Sequence, residues 1–485
     1  MNENLFLHIL ATFIISTIAV ASLAFDRHND AKIGEYSSDN RHTIAPIVCC
    51  LLFLLMIPIV PQRAGFILYL YYNMLLSLLL LTNLLLALTP LLRKHISAQG
   101  CAELWILPGY VSFFSVFIWR YPIDPLLVVR LPKSTLWLLF WIWIGGIFAV
   151  MVWKIAAHLQ FRRALLRSTV KAPDHSWRVF HEVWDRLAPA YDKKGRELPS
   201  HSVASHLRIL CSPAISSPLT IGLFKRTACL VLPEREYSDE ELRWIFRHES
   251  IHLLRSDNFM KFTITFLCAA GWFIPTLWIG MKKASEDLEL CCDELATAGF
   301  QQAARQEYAN LLLQGGGTEK GFTTCLSASA KGIRYRLRYI LHPVLRKKGS
   351  AVICLLLCVF LFCIGIFGLK ADAGTLQSEL ADLNGGSWRV TAIEGQTCKD
   401  PEAVANALRD LKLTEPYWNH QGRTIVSTVT VTLELADGRT LDLYFTADSI
   451  NARDFGANGA SRQYLIEEPF DLNWLRSMAK AAKGG

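Results

Sequence analysis

The sequence predicts a mainly α-helical, polytopic membrane protein that carries a two-histidine metal motif on one helix and ends in a small α+β domain. Three observations carry this. The chain of 485 residues is 52% hydrophobic with a mean hydropathy of +0.26, too apolar for a soluble protein of its charge. The stretch His248-Glu249-Ser250-Ile251-His252 falls inside a helical pattern. After residue 370 the long apolar runs stop, and short alternating segments with turn signals replace them.

In chain order, residues 5–25, 44–60, 66–92 and 135–153 are uncharged runs near the roughly 20 residues that cross a bilayer. A shorter run, 104–119, contains Pro108, and a last one covers 351–369. The first run lacks a small-residue cleavage site and reads as an anchor. Basic clusters follow the first, third and fifth runs and precede the last: Arg27, Lys32 and Arg41; Arg93 and Lys94; Lys154, Arg162, Arg163, Arg167 and Lys171; Arg334, Arg336, Arg338, Arg346, Lys347 and Lys348. All four clusters fall on one side if 104–119 is a span, and that side is the cytoplasm. The expected organisation is an N-terminal region of about five spans over 1–157, a cytoplasmic metal-site domain over 158–349, a last span over 350–370 and an extracytoplasmic domain over 371–485.

In the H-E-x-x-H motif, i, i+4 spacing puts both imidazoles on one helical face, where they can share a metal ion. Glu249 can then act on a metal-bound water. Ser238 to Glu241 reads as a capping box that starts this helix. A catalytic zinc usually takes three protein ligands. The third is expected between Glu286 and Glu294, where Glu289 and Asp293 form an E-x-x-x-D pair. Glu289 is the expected ligand, with Asp293 holding a ligand histidine through its second nitrogen. Glu286 and Glu294 lack an aspartate four residues on and rank lower. Asp257 is a second candidate for orienting the site. The bland alternative for these acids is a solvated helix face. Cys291 and Cys292 are adjacent, so they point about a hundred degrees apart and do not both face one metal; they read as small buried hydrophobes.

The run 262–279 is apolar for 18 residues. One crossing would separate Glu289 from His248 by a membrane, whereas zinc–ligand bonds are about 2 Å. Gly271 and Pro275 favour a break, and the expectation is a re-entrant or buried hairpin near 262–279. The rival is a true span with Glu289 not a ligand. Upstream, 219–233 with Gly222 as a turn is either a substrate-binding strand or a core hairpin.

The tail, 371–485, carries 16 acidic and 11 basic residues, a net of −5, against +8 for the whole chain. The remaining +13 reads as membrane topology and not as nucleic-acid binding. In the tail, 388–393 alternates as a strand, 400–411 reads as a helix capped by Asp400, 424–435 and 440–445 form a hairpin around Asp437-Gly438, and 472–482 reads as a helix. Cys398 is its only cysteine, so no disulfide is expected inside it.

Residues 1–370 resemble the BlaR/MecR-type membrane zinc metallopeptidases. The resemblance rests on 218–223, 231–233, 238–241, His248 to His252 with Asp257, 288–294, 308–312 and the basic 334–338. It implies a gluzincin-like domain in which His248, His252 and Glu289 bind Zn2+, Glu249 is the general base and Asp293 supports a ligand. It also implies an antirepressor that cleaves a cytoplasmic repressor, of the winged-helix kind, or itself, after an extracytoplasmic signal. Membrane lipid, an unidentified outer ligand and a homodimer are further expected partners. The chain departs from the family at the tail, which is about half the size of a penicillin-binding sensor. Its one Ser-x-x-Lys match, Ser477 to Lys480, sits five residues from the C-terminus. A constitutive quality-control peptidase and a non-catalytic receptor remain as rival readings. Tyr308 reads either as an oxyanion donor or as core.

Overall fold

The computed structural model describes residues 3–33, 64–118, 127–187, 206–224, 227–314, 330–344, 346–364, 367–384, 387–415, 428–446, 449–452, 462–466 and 468–479. The apolar run 44–60 lies outside them. The chain folds as two compact units, one formed by 1–51, 74–121 and 143–364, the other by 52–73, 122–142 and 365–485.

The first unit opens with α1 (Glu3–Ile33), α2 (Ala64–His95), α3 (Ala98–Leu104) and α4 (Leu107–Ile118). The run 104–119 is therefore not one helix: α3 closes at Trp105, and α4 has only 12 residues. After β1 (Leu127–Pro132), α5 (Lys133–Arg167) is a 35-residue helix. By length and composition, Tyr72–His95 and Trp137–Arg167 are long and apolar enough to cross a membrane, while Leu5–Ala21 and Ser350–Phe362 are shorter apolar helices.

Next come β2 (Val170–Lys171), α6 (Asp174–Leu187), β3 (Arg208–Ser212), β4 (Leu219–Ile221) and β5 (Cys229–Pro233). They form a four-stranded sheet in the order β2-β3-β5-β4, with β3 parallel to β5 and β4 antiparallel to it. Gly222 follows β4 at φ +127°; a Cβ there would lie 2.6 Å from the Thr227 carbonyl oxygen, which is why glycine occupies this turn. Sequence reading placed the β4–β5 hairpin but not β3, whose burial alternates too irregularly to register.

The helices α7 (Asp239–Arg255), α8 (Asp257–Ala270), α9 (Pro275–Ala296), α10 (Gln302–Gln314), α11 (Ala330–Leu341) and α12 (Ser350–Phe362) complete the unit. Phe180 and Trp184 of α6, Leu230 and Leu232 of β5, and Phe246 of α7 form one core, fixing α7 against the sheet. A second core joins α1 to α4, α8, α9 and α12 through residues such as Leu81, Leu85, Trp105, Cys268, Leu277 and Leu357. The run 262–279 breaks between α8 and α9, with Gly271 closing one helix and Pro275 in the first turn of the other. α8 and α9 pack on each other, and the Cys268 thiol reaches the Leu277 carbonyl at 3.3 Å.

The second unit contains β1, β6 (Phe367–Thr375), α13 (Leu376–Asn384), β7 (Trp388–Ile393), β8 (Gln396–Thr397), α14 (Pro401–Arg409), β9 (Lys412–Glu415), β10 (Val429–Leu435), β11 (Thr440–Phe445), β12 (Ser449–Ala452), β13 (Arg462–Ile466) and α15 (Leu472–Ser477). Among the described residues its sheet has nine strands, in the order β1-β6-β9-β13-β12-β11-β10-β7-β8. Alternation along β10 and β11 buries Val429, Val431, Leu433, Leu441, Leu443 and Phe445 on one face. Asp400 caps α14, accepting from the Ala403 N–H at 3.0 Å. The helix expected over 472–482 stops at Ser477. The apolar run expected over 351–369 is helical only to Phe362, and β6 starts at Phe367, pairing in parallel with β1.

Candidate metal centre

The site begins with the start of α7. The Ser238 side chain accepts the Glu241 N–H, and the Glu241 carboxylate accepts the Ser238 N–H at 2.9 Å, so the capping box fixes where the helix begins. Ten residues on, His248 and His252 share the buried face, and their Nε2 atoms stand 3.1 Å apart. α7 ends at Ser256 in the left-handed region, φ 56°. That turn, costing about 1–2 kcal/mol for a non-glycine residue, starts α8 at once and returns Asp257 to the site.

Each imidazole has its other nitrogen held. His252 Nδ1 lies 2.7 Å from Asp257 Oδ2, and Arg255 lies 3.2 Å from Oδ1 of the same carboxylate. Burial works against the Asp257 charge, but Arg255 and His252 outweigh it and hold the carboxyl below its usual range. His248 Nδ1 lies 2.7 Å from the Tyr308 hydroxyl, which donates to Asp293 Oδ1, also at 2.7 Å. With Nδ1–H donated outward on both rings, both Nε2 lone pairs face the same point.

The structure places the Asp293 carboxylate 3.6 Å from His248 Nδ1, with the Tyr308 hydroxyl bonded to both. Asp293 is also gripped by Arg336 of α11, with two contacts of 2.6 Å. Sequence reading counted Arg336 among the topology charges and in the basic stretch that carries the resemblance, gave it no role in the site, and left Tyr308 undecided. Tyr308 is buried in α10 with Ala309 and Leu312, so in sequence it looks the same as a core tyrosine.

The α8–α9 turn brings Glu289 to the histidines. Its Oε2 is 3.7 Å from His248 Nε2, and its Oε1 is 3.6 Å from His252 Nε2. Oε2 is buried and accepts no hydrogen bond among the described residues, while Lys261 and Arg336 stand 3.3 Å and 3.5 Å from the carboxylate. Burial opposes the Glu289 charge, yet His252 and Lys261 hold it well below the usual carboxylate range. Donors bound at about 2.0–2.2 Å to one ion lie roughly 3–3.7 Å from each other. Two imidazoles and a carboxylate at these spacings fit zinc in donor type and reach. Cys292 joins them: the donor atoms of His248, His252 and Cys292 lie within 4.8 Å of one another. Glu286 and Glu294 turn away, to Lys283 and to the Gln99 N–H.

Glu249 is buried beside this cluster, and Thr220 of β4 donates to its Oε2 at 2.8 Å. Asn258 of α8 donates to the carbonyls of Thr220 and Gly222 at 3.0 and 3.1 Å, holding β4 over the glutamate. A cleft opens on His248 and Glu249, walled by Pro218, Pro233, Tyr237, Ile245, Tyr308, Leu311 and Leu312 with Ser216 and Arg235.

A family model described as BlaR1 peptidase M56 matches residues 127–340, the stretch that contains every side chain of this cluster. That stretch, less than half of the chain, is similar to the BlaR1-type M56 peptidases. The regulatory protein BlaR1 of Bacillus licheniformis is 25% identical over 156 residues, which cover 30% of this chain and 26% of that protein. M56 peptidases are metallopeptidases, typically of zinc, and the donor set of this cluster is compatible with that chemistry.

Proposed function

We propose that this chain is a membrane-bound zinc metalloendopeptidase that acts as a signal-transducing antirepressor. The observation that carries the peptidase reading is the convergence of His248, His252 and Glu289 at 3.1–3.7 Å, with Glu249 beside them at the floor of a cleft. Bound there, zinc would supply Lewis acidity, acidifying a water and drawing charge from the scissile carbonyl. Glu249 takes the proton of the attacking water and returns it to the leaving amine. Thr220, donating to Oε2, orients that carboxylate. Asp257, and Tyr308 with Asp293, keep both imidazoles in the tautomer that presents Nε2. The apolar cleft walls exclude water and receive a side chain next to the cut bond, and β4, an edge strand among the described strands, offers its preceding segment at Ser216 to Pro218 to substrate backbone.

The membrane part of the reading is supported by two long apolar helices among the described residues and by the basic clusters, which share one side if the chain crosses the membrane within 98–118. Pairing of β1 with β6 agrees with the same topology, because both strands are expected outside. The outer domain then acts as a sensor, and the substrate is a cytoplasmic protein, a winged-helix repressor or this chain itself.

Wild type and Glu249→Gln, expressed in membranes with a co-expressed repressor from the same genome, test this by immunoblot and by zinc content after purification. Equal zinc in both, with fragments only from wild type and cleavage reduced at least roughly 10²-fold in the variant, is the expected result. Equal cleavage by Glu249→Gln, or wild type that binds no zinc, overturns the reading.

A further inference from the structure

Cys291 and Cys292 are neighbours on α9 and part company in the fold. The Cys291 sulfur accepts from Arg255. Cys292 turns toward the histidines, is fully buried, and forms with them the tight donor group described above. It lies three residues after Glu289, so both side chains occupy one face of α9. Its thiol donates to the His248 main-chain carbonyl at 3.2 Å.

We propose that Cys292 is a fourth protein donor that closes the zinc site in a resting state of the enzyme. This rests on the zinc-peptidase reading above. Catalytic zinc keeps one position free of protein ligands, whereas four protein donors make a closed site. His248, His252 and Glu289 leave one position, and thiolate is a preferred zinc donor. Turning a cysteine side chain between staggered wells carries its sulfur about 3 Å, so no helix has to move. With the thiol on the His248 carbonyl, the fourth position admits water. With the sulfur on the ion, water is excluded and Glu249 has no proton to take. Closing releases the thiol proton to solvent and one water from the ion; opening reverses both, and nothing is oxidised or reduced. The alternative role is filler: Cys292 also touches Ile251 and Ala296 in a small apolar cluster, which by itself predicts no metal contact.

Cobalt in place of zinc decides between them on the purified full chain, because thiolate–cobalt bonds give an intense near-ultraviolet charge-transfer band. The band is expected in wild type and in Cys291→Ser. It is expected to vanish in Cys292→Ser and Cys292→Ala at unchanged cobalt stoichiometry, with basal cleavage raised several-fold. Cobalt bound by wild type without that band overturns the role of Cys292 and leaves the peptidase reading intact. No cobalt binding by wild type overturns both. If either Cys292 variant fails to fold, the wild-type band, set against Cys291→Ser, still decides.

Discussion

The hydroxyl of Tyr308 sits 2.7 Å from Nδ1 of His248 and converts a distant carboxylate into a support for that ring. Asp293 lies 3.6 Å from the same nitrogen, so the tyrosine is the link. Tyr308→Phe keeps the ring packed and removes only the link. Zinc affinity is expected to fall about 10- to 100-fold, measured by chelator competition. Tyr308→Phe with Asp293→Asn is expected to fall little further than either alone. Unchanged affinity in Tyr308→Phe would reduce this residue to packing.

Arg336 and Asp293 form a buried bidentate pair. Removing one charge leaves the other unpaired, so Arg336→Met is expected to cost roughly 3–5 kcal/mol in denaturation of the purified protein. Arg336→Met combined with Asp293→Leu is expected to recover part of that loss. A double variant less stable than Arg336→Met would refute the pairing argument.

The cap of α7 gives a pH dependence. Burial raises the Glu241 carboxyl, but the Ser238 N–H and Arg235 together outweigh it and place it below its ordinary value of 4.5. A depressed carboxyl stabilises the fold above its unfolded value and loses that contribution as pH falls through the folded one. Acid unfolding below pH 4.5 is therefore expected to be flattened in Glu241→Gln. Ser238→Ala is expected to cost about 1 kcal/mol at neutral pH. An unaltered acid limb in Glu241→Gln would show that other groups set it.

Gly222 holds the turn after β4 at φ +127°, with the Thr227 oxygen 2.6 Å from where a Cβ would stand. Gly222→Ala is expected to cost roughly 1–3 kcal/mol and to lower cleavage by displacing Thr220 from Glu249. Thermal melts and cleavage assays on one preparation check both, and normal cleavage in the variant would separate the turn from the site.

The sequence by itself determined what is local. The capping box, the i, i+4 histidines and the buried alternation of β10 and β11 depend on neighbours within one element, and the helical and two-residue periods state them directly. Asp257 was legible because it lies only five residues past His252, although the turn at Ser256 that returns it to the site appears only in the fold. What only the tertiary structure decided lies between elements. Glu289 reaches the histidines because α8 and α9 fold back at Gly271 and Pro275; those two residues hint at the break in sequence, and the packing of α8 on α9 brings the carboxylate to the site. Tyr308, Arg336 and Cys292 come from α10, α11 and the far turn of α9, and each looks in sequence like core, topology charge or filler. Their roles follow from which buried polar groups need partners, and that is set only when the helices pack.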